Sequence, residues 1–269
     1  MRTSGWIWST TGYSGKSGSG KLDDRRAQGQ DADSNSDFAV RVRGVVKSFG
    51  RTRVLRGIDL DVPWGQTLSL VGANGSGKTT LLKILATLSR PDSGQILVGG
   101  LSPGRTGSAL RKQIGVVTHD PLLYDDLTAR ENLRFYCRMF DVSDADKRVE
   151  SVAEMVGMES RLDQRIGSMS HGMKKRFSIA RALLHDPSIL LMDEPESGLD
   201  QVAVSLLDSL ISKRSDSRRA IIMSTHDIER AVRLGDSLAV LSDGRVSYSG
   251  DADSESAHEA FMWQSESAT

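Results

Sequence analysis

Two stretches of the chain have the glycine and lysine spacing that holds phosphate, GKSGSGKL at residues 15–22 and GANGSGKTT at residues 72–80. In such a loop, successive backbone N–H groups form a concave anion nest, and a following helix adds the positive end of its dipole. The lysine brings a point charge to the terminal phosphates, and the next hydroxyl binds a divalent cation. These requirements separate the two stretches. The second follows TLSLV (67–71), a short apolar strand, and leads into KTTLLKILATL (78–88), which has the spacing of a helix buried on most sides and stopped by PDSG at 91–94. Gly72, Ala73, Asn74, Gly75, Ser76, Gly77, Lys78, Thr79 and Thr80 therefore form a phosphate loop with its strand and helix in place. The first stretch has no strand before it, Leu22 stands where the hydroxyl belongs, and LDDRRAQGQD is a poor helix. It is a chance match in a Gly/Ser-rich segment.

A phosphate loop needs a second metal-binding element, an apolar strand that ends in aspartate. ILLMDE (189–194) fits, with Asp193 at the carboxyl end of a buried strand, the edge where parallel sheets bind ligands. Glu194 follows and is placed to orient or deprotonate an attacking water. Taken alone, it reads equally well as a solvated carboxylate in a turn.

The elements that position these groups form an α/β pattern. FAVRVRGVVKSF (38–49) and VLRGIDLDV (54–62) alternate as strands, and QILV, IGVV, SILLMD, AIIMS, SLAVL and RVSYSG are further short strands. Between Thr128 and about Leu184 helical patterns dominate, in TARENLRFYCRMF, DADKRVESVAEMVGM and GMKKRFSIARALL; VAVSLLDSLIS and DIERAVRL follow as helices. Residues 1–36 are rich in Ser, Gly, Asp and Arg, too poor in apolar groups to offset ordering entropy, and read as a disordered tail.

Lys+Arg and Asp+Glu both number 35, so no global basic field for nucleic acid exists and no nucleic-acid partner is expected. Cys137 is the single cysteine, which excludes an internal disulfide or a thiolate metal cluster and fits a reducing cytosol. No apolar run reaches the ~18 residues of a membrane span. The expected location is the cytoplasm, or the inner face of a membrane that the chain does not enter.

Further motifs fall in a fixed order. MSHGMKKR (169–176) precedes SILLMDEP, SGLD (197–200) follows it, and STHD (224–227) comes one strand later. In this order they resemble the ATP-binding subunit of ABC transporters over roughly residues 38–250. The resemblance implies a P-loop NTPase of ABC type over residues 37–269: a mostly parallel sheet, N-terminal antiparallel strands and a helical subdomain at about 125–186. It implies ATP and Mg²⁺ as ligands, with Thr79 and Asp193 on the metal and Lys78 on the phosphates. Phe49 resembles the aromatic that stacks on adenine, with Val54 beside it; Phe49 also reads as a strand-end core aromatic. Ser170 and Gly172 resemble the signature contacts to the γ-phosphate held by a second protomer, at the start of a helix near Gly172. Asp200 resembles the aspartate at the dimer seam. His226 resembles the switch histidine that holds the γ-phosphate, the water and Glu194 in line.

Three positions depart from the family's pattern. His119 stands where the family has a glutamine that reaches Mg²⁺ and the water, and its loop is the one that senses a membrane partner. His171 replaces a glycine of the signature, and Met173 replaces its glutamine. Lys78, Asp193 and Glu194 are untouched, so an active enzyme is expected.

Within the family, THDPLLYDDLTARENLRFYCRMF (118–140) is similar to the ATPase of the haem exporter of cytochrome c maturation. Drug, polysaccharide and lipid exporters share part of that pattern and form the alternative; a soluble ABC protein acting on DNA or ribosomes, or a nucleotide-binding regulator without turnover, fits less well. The expected partners are an integral membrane permease and a second copy of the chain. The permease dock is expected at Tyr124 and the helix Thr128–Phe140, whose Phe135, Tyr136 and Phe140 read more readily as subdomain core. Lys78→Ala is expected to remove most ATP binding in a titration with fluorescent nucleotide, and Lys21→Ala to change nothing. Equal losses would contradict the distinction between the two loops.

Overall fold

The computed structural model describes residues 37–103, 107–212 and 218–252. The tail expected over residues 1–36, and with it the GKSGSGKL stretch, lies outside the described residues.

The strands form two sheets. β1 (Phe38–Phe49), β2 (Thr52–Pro63) and β4 (Ser93–Val98) make an antiparallel sheet in the order β2-β1-β4. β1 and β2 run straight into each other through Gly50 and Arg51, with Phe49 opposite Thr52, so Phe49 sits at a hairpin tip. The second sheet has β5 (Ile114–Val117), β6 (Ile189–Asp193), β7 (Ala220–Ser224), β3 (Thr67–Val71), β8 (Ser237–Ser242) and β9 (Arg245–Asp251) side by side in that order. Its first five strands are parallel, and β9 is antiparallel to β8. The α/β class and the parallel core agree with the sequence, as does the antiparallel N-terminal sheet.

Burial on both faces explains why the parallel strands read as unbroken apolar runs. Every residue of β3, β6 and β7 is buried. Leu191 and Ile222 point to one core, shared with the antiparallel sheet and with Leu81, Ile84 and Leu85 of α1 (Lys78–Leu85). Leu190, Met192, Ile221 and Met223 point to the other, shared with α3 (Ala129–Met139), α4 (Ala145–Met155), α5 (His171–Leu183) and α6 (Gln201–Ser212). The period-two pleat thus divides each strand between two cores.

The helix ends carry the signals that fix them. Thr128 caps α3 with a capping box: its hydroxyl accepts from the Glu131 N–H at 3.2 Å, and the Glu131 carboxylate accepts from the Thr128 N–H at 2.8 Å. Asp227 caps α7 (Ile228–Leu234) by accepting from the Arg230 N–H at 3.0 Å. α1 stops at Leu85, three residues before the apolar pattern does, and Thr87 turns left-handed at φ 62°. α5 begins at His171, one residue before Gly172. α2 (Gly107–Gln113) was not expected: it buries only Leu110, too little to leave a helical period in the sequence.

α3 carries Phe135 and Tyr136, and Phe140 follows its last residue. Tyr136 and Phe140 are half-buried; Tyr136 packs on the second core beneath Arg181, and Phe140 stacks on His185 with 4.0 Å between ring centroids. Phe135 lies edge-on to Tyr124 at 5.4 Å, and Tyr124 is half-exposed. Phe177 of α5 is fully buried at the centre of the second core. Phe177→Ala is expected to cost about 3–5 kcal/mol of unfolding free energy, read as a lowered midpoint in urea; an unchanged midpoint would contradict this packing.

Candidate active site

Parallel strands place all their carboxyl ends along one edge, and the chemistry-bearing residues gather there. β3 runs into the glycine loop, β6 ends in Asp193, β7 ends in Ser224, and β5 runs out towards His119. Asp193 and Ser224 are register partners on neighbouring strands.

The centre of the cluster is the Asp193 carboxylate, which is 7% exposed. Its Oδ1 accepts a hydrogen bond from Thr79 Oγ1 at 3.1 Å and another from Ser224 Oγ at 2.7 Å. Ser224 Oγ also accepts from the Glu194 N–H at 3.0 Å. One hydroxyl therefore ties both acidic residues of ILLMDE to β7. Glu194 itself has left-handed backbone geometry, φ 43°, a conformation unfavourable for a side chain of its size. That turn directs the chain off the strand, and Glu194 stays half-buried beside the cluster.

The glycine loop is held by the residues around it. Gly72 lies so close to β8 that a Cβ would sit 2.3 Å from the Leu241 carbonyl oxygen, which requires glycine there. Lys78, 5% exposed at the start of α1, donates to the Gly72 carbonyl at 2.6 Å and the Ala73 carbonyl at 3.1 Å. Burial pushes the Lys78 ammonium below the usual lysine range, opposed by the nearby Glu194 and Asp193 carboxylates. Phe49 is 56% exposed at its hairpin tip with Lys47 Nζ 5.3 Å from its ring centre, so it is a surface aromatic rather than a core one. Val54 is half-buried against the first core.

The signature residues lie at the start of α5, and Asp200 immediately precedes α6. Ser170 caps α5, its hydroxyl accepting from the Met173 N–H at 3.3 Å, and it is exposed together with His171. The His171 ring lies 6.3 Å from that of His119 and against Gly198, where a Cβ would come within 2.5 Å of it. Asp200 caps α6 through the Ala203 N–H at 2.9 Å and holds Arg176 at 2.7 and 2.8 Å; the Ala203 bond comes first in keeping its carboxyl below the usual range. His226 is exposed, two residues past the end of β7, at the same edge as Asp193. Lys78, Thr79, Asp193 and Glu194 are thus brought together, with Ser224 among them; Phe49 and the Ser170–Asp200 group lie apart from that cluster.

Two functional neighbours were not singled out from the sequence. Ser224 is the first residue of STHD and stood in view, but its bond to Asp193 depends on strand order. Lys175 is 3% exposed, and its Nζ lies 3.4 Å from the carbonyl oxygens of both Thr118 and Asp193. Burial lowers its pKa, against the pull of Asp193, Glu196 and Glu194. A buried lysine near three carboxylates has no local sequence signal beyond its place in MSHGMKKR.

Comparison with known proteins agrees with this geometry. The family model described as ABC transporter matches residues 55–197, which contain the glycine loop, the signature helix and both acidic residues.

The chain belongs to the ABC transporter family.

The Nod factor export ATP-binding protein I of Rhizobium sp. (strain N33) is 40% identical over 212 residues, covering 78% of this chain and 70% of that protein. The linearmycin resistance ATP-binding protein LnrL of Bacillus subtilis (strain 168) is 32% identical over 209 residues, 77% of this chain and 67% of that protein. A dimeric ATP-binding cassette in a post-hydrolysis state, bound to ADP and Pi, superposes with TM-score 0.73 at 26% identity, covering 80% of this chain and 99% of that one. This ABC protein is an ATPase whose turnover is coupled to transport. Among its described residues, no helix is long and apolar enough to cross a membrane.

Ser224→Ala would leave the buried Asp193 carboxylate and the Glu194 N–H each short of a partner. It is expected to cost roughly 1–3 kcal/mol of stability, read by urea unfolding. A variant as stable as the wild type would contradict the central place of that hydroxyl.

Proposed function

We propose that this chain hydrolyses ATP as one half of a head-to-tail homodimer and drives a separate integral membrane permease that exports a drug, polysaccharide or lipid. The observation that carries the ATPase part is the pair of hydrogen bonds from Thr79 and Ser224 to one oxygen of Asp193, beside Lys78 and Glu194. The export part is supported by relatives named for Nod factor export and linearmycin resistance. They favour that class of cargo over the haem suggested by residues 118–140.

In this reading, the backbone amides of Gly72–Thr80 cradle the phosphates, and the Lys78 ammonium exchanges the Gly72 and Ala73 carbonyls for phosphate oxygens. Phe49, with Val54, takes the adenine ring on its exposed face. The Thr79 hydroxyl and Asp193 carboxylate are hard oxygen donors 3.1 Å apart, a donor set that fits Mg²⁺, which keeps several waters and takes few protein ligands. When bound, Mg²⁺ supplies charge neutralisation to the terminal phosphates. Glu194 takes the proton of the water that attacks the γ-phosphorus; ADP leaves. His226 and His119 hold that water and the γ-phosphate in line.

Ser170 and Gly172 serve the partner's nucleotide. The amino end of α5 presents free N–H groups and a positive dipole end, suited to an anion from outside the chain, and Asp200 lies at the seam between copies. Among the described residues no helix is long and apolar enough to cross a membrane, so in this reading the transport work is done by docking on a separate protein that spans it. The surface of Tyr124 and α3 is the face offered to that permease, which sets the chain at the inner face of the cell membrane.

Deletion in the parent organism is expected to leave haem-stained c-type cytochromes intact and to abolish efflux of an amphiphilic drug, glycolipid or polysaccharide. Loss of covalent c-type cytochromes with efflux unchanged would overturn the choice of cargo and restore haem export.

A further inference from the structure

Glu196 stands two residues beyond Glu194 and, beyond its pull on Lys175, has no role assigned so far. Its Oε1 accepts a hydrogen bond from Thr225 Oγ1. Thr225 is fully buried and immediately precedes His226. The same hydroxyl oxygen accepts from the N–H of Asp227, the residue after His226, at 3.1 Å. A single buried hydroxyl thus grips the chain on both sides of an exposed imidazole, and Glu196 holds that hydroxyl.

A buried cation stands behind this clamp. Arg230 of α7 is 3% exposed; its Nε lies 3.8 Å from Glu196 Oε2 and its Nη2 2.6 Å from Asp208 Oδ1 of α6. Arg233 meets the same Asp208 from the solvent side at 2.9 Å. The Arg230 N–H also donates to the Asp227 carboxylate that caps α7. The Arg230 guanidinium therefore pairs the loop after β6 with α6, and its backbone N–H ties the start of α7 to the loop after β7. A buried charge of this kind is costly unless paired, and the Glu196 and Asp208 carboxylates supply the opposite charge.

We propose that Glu196 and Thr225 are positioning residues for His226, with Arg230 as the buried counter-charge that keeps Glu196 in place. This rests on the reading of His226 as a participant in hydrolysis. The loop that carries Glu194 and the loop that carries His226 are then one rigid unit. The Thr225 bond to a carboxylate is charge-assisted and stronger than a neutral one, so it resists the displacement that an exposed loop otherwise allows. Neither Phe49 nor the glycine loop touches this network, so its loss acts on turnover and leaves nucleotide affinity alone.

A double-mutant cycle on steady-state ATP hydrolysis tests this. Thr225→Val is expected to lower kcat roughly 10- to 100-fold, the scale set by small misplacements of a reacting group, with KM unchanged. Thr225→Ser, which keeps the hydroxyl, is expected to restore kcat. In a His226→Ala background, Thr225→Val is expected to have no further effect, as residues acting through one group are not additive. Glu196→Ala repeats the cycle without touching β7, and decides it if Thr225→Val does not fold. Losses that add in full to that of His226→Ala, or a fall in nucleotide affinity equal to the fall in kcat, would overturn the positioning role alone. A wild-type rate for His226→Ala would overturn the role of His226 and this inference with it.

Discussion

One carboxylate oxygen holds the site together. Asp193 Oδ1 takes hydrogen bonds from Thr79 on the helix after the glycine loop and from Ser224 on the neighbouring strand, at 3.1 and 2.7 Å. Three elements separate in sequence are thereby joined at one buried point. The bond is available because β6 and β7 are parallel and in a register that sets Asp193 beside Ser224. A shift of one residue would turn each side chain to the opposite face of the sheet, and both the carboxylate and the hydroxyl would leave the edge. The apolar alternation of Leu190, Leu191 and Met192 between two cores holds that register. Packing, in this sense, comes before chemistry.

Charge is the second constraint. Asp193 and Glu194 sit close to each other at a half-buried edge, where carboxylates are held only against cations. Lys78 and Lys175 are both nearly buried and lie near them, and burial works against each ammonium while the carboxylates favour it. Each group is tolerable because the others are present. The Glu196–Arg230–Asp208 network repeats the pattern one layer further out. Incoming phosphate would meet Lys78 already desolvated and pointing at the loop carbonyls, so little reorganisation is needed when it exchanges them.

The sequence reveals the parts of the site that are local in the chain. The glycine loop, ILLMDE and the helix start near Gly172 depend on spacing within a few residues, and each appears in the fold where its pattern sets it or within a residue of it. The strands are legible for the same reason, as period-two or unbroken apolar runs. What the sequence does not reveal depends on neighbours far along the chain. Ser224 matters because of strand order, Lys175 because of what covers α5, and Glu196 because Thr225 and Arg230 arrive from later elements. α2 leaves no period because only Leu110 is buried, and α1 ends early because Thr87 adopts a backbone conformation that the apolar pattern does not report. The cargo is hidden for a further reason: residues 118–140 suggest haem, while relatives matched over 78% and 77% of the chain are named for Nod factor export and linearmycin resistance.

The central claim is that Glu194, at the Asp193 edge, takes the proton of the attacking water in an ATP site completed by a second copy of the chain. Single-turnover hydrolysis by Glu194→Gln, combined with light scattering in saturating Mg-ATP, tests both halves of it. The account predicts hydrolysis slowed by roughly 100-fold or more, as for loss of a general base, together with a stable dimer that holds unhydrolysed ATP. Hydrolysis at the wild-type rate, or a variant that remains monomeric with ATP bound, would contradict it.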